Sequence, residues 1–166
     1  MRAGIAFGSN LGDRLANLRM ARDQICRLPM VRQPVLASAV YETEPIGCEP
    51  GAPKFLNAVI EIKCERTPSD LLQRLRRVES ACGRPLAHAT NASRTLDLDL
   101  LYFGDVEVST RELQLPHPRM VERRFVLEPL VEIRPDLILP GETEAVAALL
   151  RRLRDTTPLL RVTSQW

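Results

Sequence analysis

Residues 94–101, with the sequence RTLDLDLL, constrain the fold of this chain more than any other segment. Successive side chains of a strand point to opposite faces of its sheet, so this alternation predicts a β-strand. The leucines would then face a core, while Asp97 and Asp99 would share the opposite face. Their carboxylates would lie roughly 7 Å apart along the strand. At that spacing, two negative charges repel each other, and desolvation would strengthen the effect.

Two carboxylates at this spacing are typical of a cation site. Mg²⁺ usually takes one or two protein carboxylates and completes its shell with substrate phosphates and water. Arg94 directly precedes the acidic pair, where its guanidinium could bind phosphate oxygens. The same alternation is common in half-exposed strands whose acids are simply solvated. The spacing alone leaves both interpretations open.

Length and composition predict one globular domain over residues 1–166. The charge is nearly balanced, with 23 Lys and Arg against 21 Asp and Glu, and gives no general case for binding nucleic acid or membranes. The four cysteines fit no zinc-site spacing, which favours free thiols in a reducing compartment. No signal peptide or apolar run of about 18 residues is visible. We therefore expect a cytoplasmic, soluble protein.

Hydrophobic periodicity predicts strands and helices in alternation. The expected elements are a strand at 2–8, a helix from the N-cap Asp13, strands at 35–43 and 55–64, a helix from the N-cap Thr67 that Gly83 ends, and the strand with the two aspartates. Residues 106–109 should form a hairpin partner for that last strand. Helices are expected at 120–132, limited by Pro129, and at 143–154. Residues 44–54 and 84–93 should form long loops, which are frequently functional.

This order of elements predicts an α+β fold with the ferredoxin-like split βαβ topology. The sheet would be antiparallel, with both main helices on one face and the active-site cleft on the other. The second face would display Asn57, Asp97 and Asp99 between the two long loops. Polar side chains on an open sheet face, bordered by loops, indicate a ligand-binding cleft.

Five short motifs occur in one order along almost the whole chain. They are GSNLGD at 8–13, YETEP at 41–45, FLNA at 55–58, RTLDLD at 94–99, and LPHPRM at 115–120 followed by RRF at 123–125. In this combination the chain resembles the 6-hydroxymethyl-7,8-dihydropterin pyrophosphokinases of folate biosynthesis. The RTLDLD block with the downstream PHP is highly specific, whereas GSN alone is a weak signal.

The resemblance implies transfer of diphosphate from ATP to the hydroxymethyl group of the reduced pterin, with release of AMP. It implies catalytic roles for Arg84, Arg94, Asp97 and Asp99. The two aspartates would hold two Mg²⁺ ions, because phosphoryl-type transfer depends on positioning and charge neutralisation. The partners would be the two small-molecule substrates, with no nucleic acid and no membrane, and the protein is expected to be a monomer.

The resemblance also implies two sets of binding residues. The pterin set is Thr43, Ile46, Phe55, Asn57 and Phe125. The ATP set is Glu79, Arg84, Arg94, Leu100, His117 and Arg123. Two aromatic rings can sandwich a flat bicycle, and an amide can pair with its donors and acceptors.

The 84–93 loop departs from the family pattern. Well-known members carry extra arginines and a tryptophan there, and this chain has Leu86, Thr90 and Asn91. A loop with few contacts to substrate should be mobile without ligands. The depleted loop leaves open a non-catalytic relative that binds pterin or nucleotide. A sheet-based RNA-binding module is a further alternative, because RNA-recognition domains share this topology. Such a module would need exposed aromatic side chains and a basic sheet face.

Overall fold

A six-stranded antiparallel sheet forms the centre of the fold. The computed structural model describes residues 1–45, 49–82 and 93–166. The strands of the sheet are β1 (Arg2–Ser9), β2 (Val31–Ala37), β3 (Val40–Thr43), β4 (Phe55–Cys64), β5 (Asp97–Phe103) and β8 (Leu160–Thr163), and a separate hairpin pairs β6 (Val108–Ser109) with β7 (Gln114–Leu115). The helices are α1 (Arg14–Cys26), α2 (Pro68–Ala81), α3 (Arg124–Ile133) and α4 (Val146–Arg152), with a 3₁₀ turn at Met120–Glu122.

The predicted split βαβ topology is confirmed. The strand order is β5-β1-β4-β3-β8, and β2 also pairs with β4. Helix α1 begins after Asp13, whose side chain accepts a hydrogen bond from the Ala16 N–H. Helix α2 begins with a capping box between Thr67 and Asp70, with Pro68 at its first position. The predicted helix starts are therefore correct, while the predicted stop at Gly83 lies outside the described residues.

Helices α1 and α2 pack on the face of the sheet predicted to be apolar. Leu18 and Leu71, one from each helix, are fully buried in the same core as the alternate β4 side chains from Leu56 to Cys64. Leu98 of β5 belongs to this core as well. The period-2 pattern of the sequence therefore identified the buried face correctly.

The second face of the sheet is only partly open, which corrects the predicted arrangement. Helices α3 and α4 cover one half of it and form a second core, in which Val59, Leu127, Leu130 and Val146 are fully or almost fully buried. Sequence periodicity identified these C-terminal helices but could not tell which face they cover. The half that remains polar surrounds Gly8, between β4 and β5.

The expected strand at 35–43 is in fact two strands. Pairing with β4 starts earlier in the chain, at Val31. It is interrupted at Ser38 and Ala39, between β2 and β3. The Ser38 N–H donates to the Val59 carbonyl (2.9 Å), and the Val59 N–H donates to the Ser38 Oγ (3.0 Å). A hydroxyl thus replaces a backbone carbonyl at the break, and alternation does not reveal this bond because its two residues are 21 positions apart.

The C-terminal elements differ from the prediction in three ways. The strand at Val108–Ser109 pairs with Gln114–Leu115 rather than with β5. Arg123 adopts an extended conformation and separates the 3₁₀ turn from α3. Pro129 lies inside α3. Its missing N–H removes a single hydrogen bond of the helix, the one to a carbonyl in the first turn. None of the described helices is long and apolar enough to cross a membrane.

We expect both tyrosines to ionise above their ordinary pKa of 10.0 in the native protein. Tyr41 donates to Glu132 (3.0 Å) and Tyr102 donates to Glu61 (2.7 Å). Burial first, and then the carboxylate, raises the pKa of Tyr41 to about 12 and raises that of Tyr102. The native state therefore keeps these protons longer than the unfolded chain, and stability should fall as the pH rises from 10 towards 12. Ultraviolet titration of tyrosinate checks this, and a native midpoint near pH 10 would contradict it.

Candidate active site

A row of three residues across neighbouring strands brings the predicted pterin set next to the predicted metal-binding aspartates. Gly8 of β1 lies opposite Asn57 of β4 on one side and opposite Asp97 of β5 on the other. A Cβ atom on Gly8 would lie 3.6 Å from both the Asn57 Oδ1 and the Asp97 Cβ, and 3.9 Å from the Phe55 Cδ1. The amide, the aromatic ring and the carboxylate therefore surround one point on the open half of the sheet.

Two residues of the predicted pterin set are in direct contact. The Asn57 Nδ2 donates to the Thr43 Oγ1 at 2.7 Å, and both side chains are buried. Thr43 also pairs with Phe55 in the β3–β4 register. The hydrogen bond fixes the amide plane, so that the Asn57 Oδ1 is directed towards Gly8. An amide that is fixed in one orientation can form specific hydrogen bonds with the edge of a flat heterocycle.

The two aspartates have different neighbours. The Arg94 guanidinium lies 2.8 Å from the Asp97 carboxylate. The Asp99 carboxylate is 3.9 Å from the His117 Nε2 and 3.8 Å from the Arg123 guanidinium, which is beyond ordinary hydrogen-bond distance. Burial and the charge of Asp97 raise the pKa of Asp99, and the nearby cations oppose this shift only in part. Asp97 is therefore ion-paired with Arg94, whereas the basic groups near Asp99 lie at longer distance.

Burial also acts on the two basic groups near Asp99. Burial lowers the pKa of His117 and of Arg123, whereas Asp99 acts in the opposite direction on both. The Arg123 guanidinium also lies over the Phe125 ring, 5.5 Å from its centroid. This stacking places Phe125, at the start of α3, on the same side of the sheet as Asp99.

A cleft of about 500 Å³ opens beside the edge strand β5. Its lining includes five of the predicted site residues, namely Glu79, Asp97, Asp99, Leu100 and His117, together with Arg76, Arg111 and Glu112. The buried Glu79 accepts a hydrogen bond from the Leu98 N–H at 2.9 Å. Because alternate residues of an antiparallel strand direct their backbone groups to the same side, the backbone of Leu100 also points towards this cleft.

Asn10 is a site residue that sequence analysis missed. Its side chain is buried and contacts Pro53, Ser93 and Arg94. A signal was present, because Asn10 is the asparagine of the GSN motif and directly follows a buried strand. Its partners are distant in sequence, however, and periodicity does not identify them.

Some of the predicted site residues lie outside the part of the chain that the structure describes. Ile46 of the pterin set and Arg84 of the catalytic set lie outside the described residues, as do Leu86, Thr90 and Asn91 of the second loop. Within residues 1–45, 49–82 and 93–166, no three His, Cys, Asp or Glu side chains converge into a metal-binding group. The donor set is the carboxylate pair alone, which fits a cation that takes most of its ligands from substrate and water, as Mg²⁺ does.

Two neighbouring carboxylates with arginines beside them, and a polar and aromatic pocket next to a cleft, fit the site of a phosphoryl-transfer enzyme. Comparison with known proteins specifies the class further. The family model of 7,8-dihydro-6-hydroxymethylpterin-pyrophosphokinase (HPPK) matches residues 4–135. The chain belongs to this family, and the resemblance inferred from the motifs is confirmed.

Curated relatives agree with the family model. A 2-amino-4-hydroxy-6-hydroxymethyldihydropteridine pyrophosphokinase from Methylorubrum extorquens is 41% identical over 89% of this chain and 93% of its own length. A protein of the same name from Bacillus subtilis is 43% identical over 79% of this chain and 77% of its own. A third protein of this name, from Haemophilus influenzae, is 36% identical over 92% of this chain and 93% of its own length.

Solved structures of similar fold belong to longer proteins. A crystal structure of an HPPK-DHPS in complex with substrates has a TM-score of 0.73 and 12% identity, over 90% of this chain and 42% of that one. The crystal structure of wild-type Plasmodium falciparum HPPK-DHPS with pteroate has a TM-score of 0.69 and 14% identity, over 91% of this chain and 42% of that one. At this identity the similarity shows the fold alone. The present chain spans about two fifths of the length of those structures.

Proposed function

We propose that this protein transfers the βγ-diphosphate of ATP to the hydroxymethyl oxygen of 6-hydroxymethyl-7,8-dihydropterin. The hydroxyl oxygen attacks the β-phosphorus, the bond to the α–β bridging oxygen breaks, AMP leaves, and the hydroxyl proton is released. The observation that supports this best is the row Asn57–Gly8–Asp97, in which a fixed amide stands beside the carboxylate pair. A substrate with a heterocycle at one end and a reacting hydroxyl at the other matches that row.

The pterin would bind at the Asn57 end of the row. Thr43 holds the Asn57 amide in one orientation, and that amide pairs with the edge of the ring. Phe55 and Phe125 supply aromatic surface for the two faces of the bicycle. Ile46, by the family resemblance, completes the pocket.

The triphosphate would bind at the Asp97 end. Asp97 and Asp99 would hold two Mg²⁺ ions, which would supply positive charge against that of the phosphates. Arg94 and Arg123 provide guanidinium groups for non-bridging phosphate oxygens, and His117 adds a donor beside Asp99. Arg84 has the same proposed role by resemblance.

The nucleoside part of ATP would lie in the cleft beside β5. The outward-directed backbone of Leu100 offers a donor and an acceptor to a nucleobase, as an edge strand offers them to another strand. Glu79 fixes this edge by accepting from the Leu98 N–H. The cleft volume of about 500 Å³ lies within the range of small-molecule sites.

The decisive experiment is an assay of AMP release from ATP, with and without the hydroxymethyl-dihydropterin and Mg²⁺. AMP that forms only when all components are present supports the proposal. Binding of pterin or ATP without AMP formation would identify a non-catalytic relative and contradict the proposal. Binding of single-stranded RNA, with no affinity for pterin, would contradict it as well.

Replacing Asn57 by Ala should raise the KM for the pterin about 10- to 100-fold, since one buried recognition group is lost. The KM for ATP should change little, because the phosphate site is left intact. Steady-state kinetics with each substrate varied in turn measure both values. An unchanged pterin KM would remove Asn57 from the pocket, and equal rises for both substrates would indicate a general distortion.

Three further expectations belong to the same proposal: residues 1–166 act as one domain, the protein is a monomer, and it works in the cytoplasm. The described cysteines support the last of these, because Cys26, Cys64 and Cys82 are all free thiols. Sedimentation velocity at micromolar and higher concentrations tests the monomer.

A further inference from the structure

We infer that Asn10 is a positioning residue for Arg94, the arginine beside the carboxylate pair. The inference about catalysis rests on the proposed function, while the structural contact stands independently of it. Asn10 directly follows β1 and its side chain is only 2% exposed. A buried amide in a turn needs partners for its acceptor and its donors, and those partners show what it holds.

Asn10 binds both sides of the Arg94 backbone. The Arg94 N–H donates to the Asn10 Oδ1 at 2.6 Å. The Arg94 carbonyl accepts from the Asn10 N–H at 3.0 Å and from the Leu11 N–H at 3.3 Å. The Cα atom of Arg94 is therefore fixed before its long side chain extends towards Asp97.

The Asn10 amide nitrogen joins the ends of both long loops to the same point. It donates to the Pro53 carbonyl at 3.2 Å and to the Ser93 Oγ at 3.0 Å. The Ser93 hydroxyl in turn donates to Glu49 at 2.5 Å. Pro53 and Glu49 belong to the first loop, and Ser93 to the end of the second. Only an amide can combine one acceptor with two such donors at this size, so neither Asp nor Leu could replace it fully.

This anchoring matters because an arginine side chain has many rotamers. Its guanidinium lies 2.8 Å from Asp97 only if its Cα is in the right place. Phosphoryl transfer depends on positioned charges, and a misplacement of about 1 Å can reduce the rate about 100-fold. We therefore expect Asn10 to affect kcat through Arg94, to whose backbone its side chain is bonded.

The test compares Asn10→Ala with Asn17→Ala. Asn17, near the start of α1, makes three hydrogen bonds, to Ser9, Leu11 and Thr95, and none of these goes to Arg94. Asn10→Ala should lower kcat about 10- to 100-fold, whereas Asn17→Ala should keep kcat near that of the wild type. Equal losses in the two variants at equal thermal stability would show a merely structural role and overturn the inference.

A double-mutant cycle tests whether Arg94 carries the effect. If Asn10 acts through Arg94, then Asn10→Ala should reduce kcat little further in a protein that already carries Arg94→Ala. A full multiplication of the two losses would overturn this route. Asn10→Asp keeps the acceptor for the Arg94 N–H and should therefore retain more activity than Asn10→Ala. It also serves as the second variant if Asn10→Ala folds poorly.

Hydrogen exchange provides a measurement that does not depend on activity. The Arg94 amide should exchange faster in Asn10→Ala than in the wild type and in Asn17→Ala, because its acceptor is lost. Unchanged protection of the Arg94 amide would overturn the inference even if kcat falls. Faster exchange in a protein that forms no AMP would instead contradict the proposed function and leave the positioning role intact.

Discussion

Replacing Asp97 or Asp99 by Asn should reduce transfer at least about 1,000-fold while the protein remains folded. Each variant removes a carboxylate that would hold metal and leaves the shape of the side chain almost unchanged. Because burial and Asp97 raise the pKa of Asp99, its charge is unfavourable in the native state. Asp99→Asn should therefore not lower the free energy of unfolding, and can increase it.

The matched control is Asp105→Asn, which alters an exposed aspartate shortly after β5. It should leave both kcat and the midpoint of thermal unfolding near wild-type values. Initial rates across a Mg²⁺ titration, together with thermal unfolding, measure both properties for all three variants. Near-normal activity of Asp97→Asn or Asp99→Asn at limiting Mg²⁺ would show that the metal assignment is wrong.

Replacing Glu61 by Ala should destabilise the fold by about 3 kcal/mol, equivalent to a fall of about 10 °C in the unfolding midpoint. Glu61 is 1% exposed and lies on the covered half of the sheet's second face. It binds Arg2, Arg134 and the Tyr102 hydroxyl, which come from β1, from the end of α3 and from β5. Its removal would leave a buried hydroxyl and two guanidinium groups without their shared acceptor.

Two controls separate the buried cluster from ordinary surface charge. Glu65→Ala breaks an exposed pair with Arg32 and should change stability by less than about 1 kcal/mol. Tyr102→Phe removes one hydrogen bond of the cluster and should have an effect of about 1 kcal/mol. Equal stability of Glu61→Ala and Glu65→Ala in denaturant titrations would contradict the proposed importance of the cluster.

The sequence predicted the first layer of this fold well because its signals are local. Alternation in β4 and β5 identified the buried face, and the capping box at Thr67 identified the start of α2. Local signals failed where a contact joins residues that are far apart in the chain. Ser38 interrupts the predicted strand since its hydroxyl bonds to the Val59 N–H, a residue 21 positions away.

A second contact that local sequence signals do not reveal lies on the covered half of the sheet. A Cβ atom on Gly4 would lie 2.2 Å from the Tyr102 ring, so this glycine is required by a neighbour in another strand. The pairing between β1 and β5 shifts register between Gly4 and Ile5, which brings Tyr102 over Gly4. Neither the shift nor the contact follows from the pattern of either strand alone.

The sequence by itself determined the family and the order of the main elements, and it supplied the residues of the candidate site. The motifs are short and ordered, and each can be recognised without knowing its neighbours in space. Only the tertiary structure decided that Gly8 lies between Asn57 and Asp97, that α3 and α4 cover half of the second face, and that Asn10 binds the Arg94 backbone. These facts depend on strand register and on contacts between residues far apart in the chain. Local periodicity reports only which face of an element is apolar, so it predicts neither the register nor the contacts.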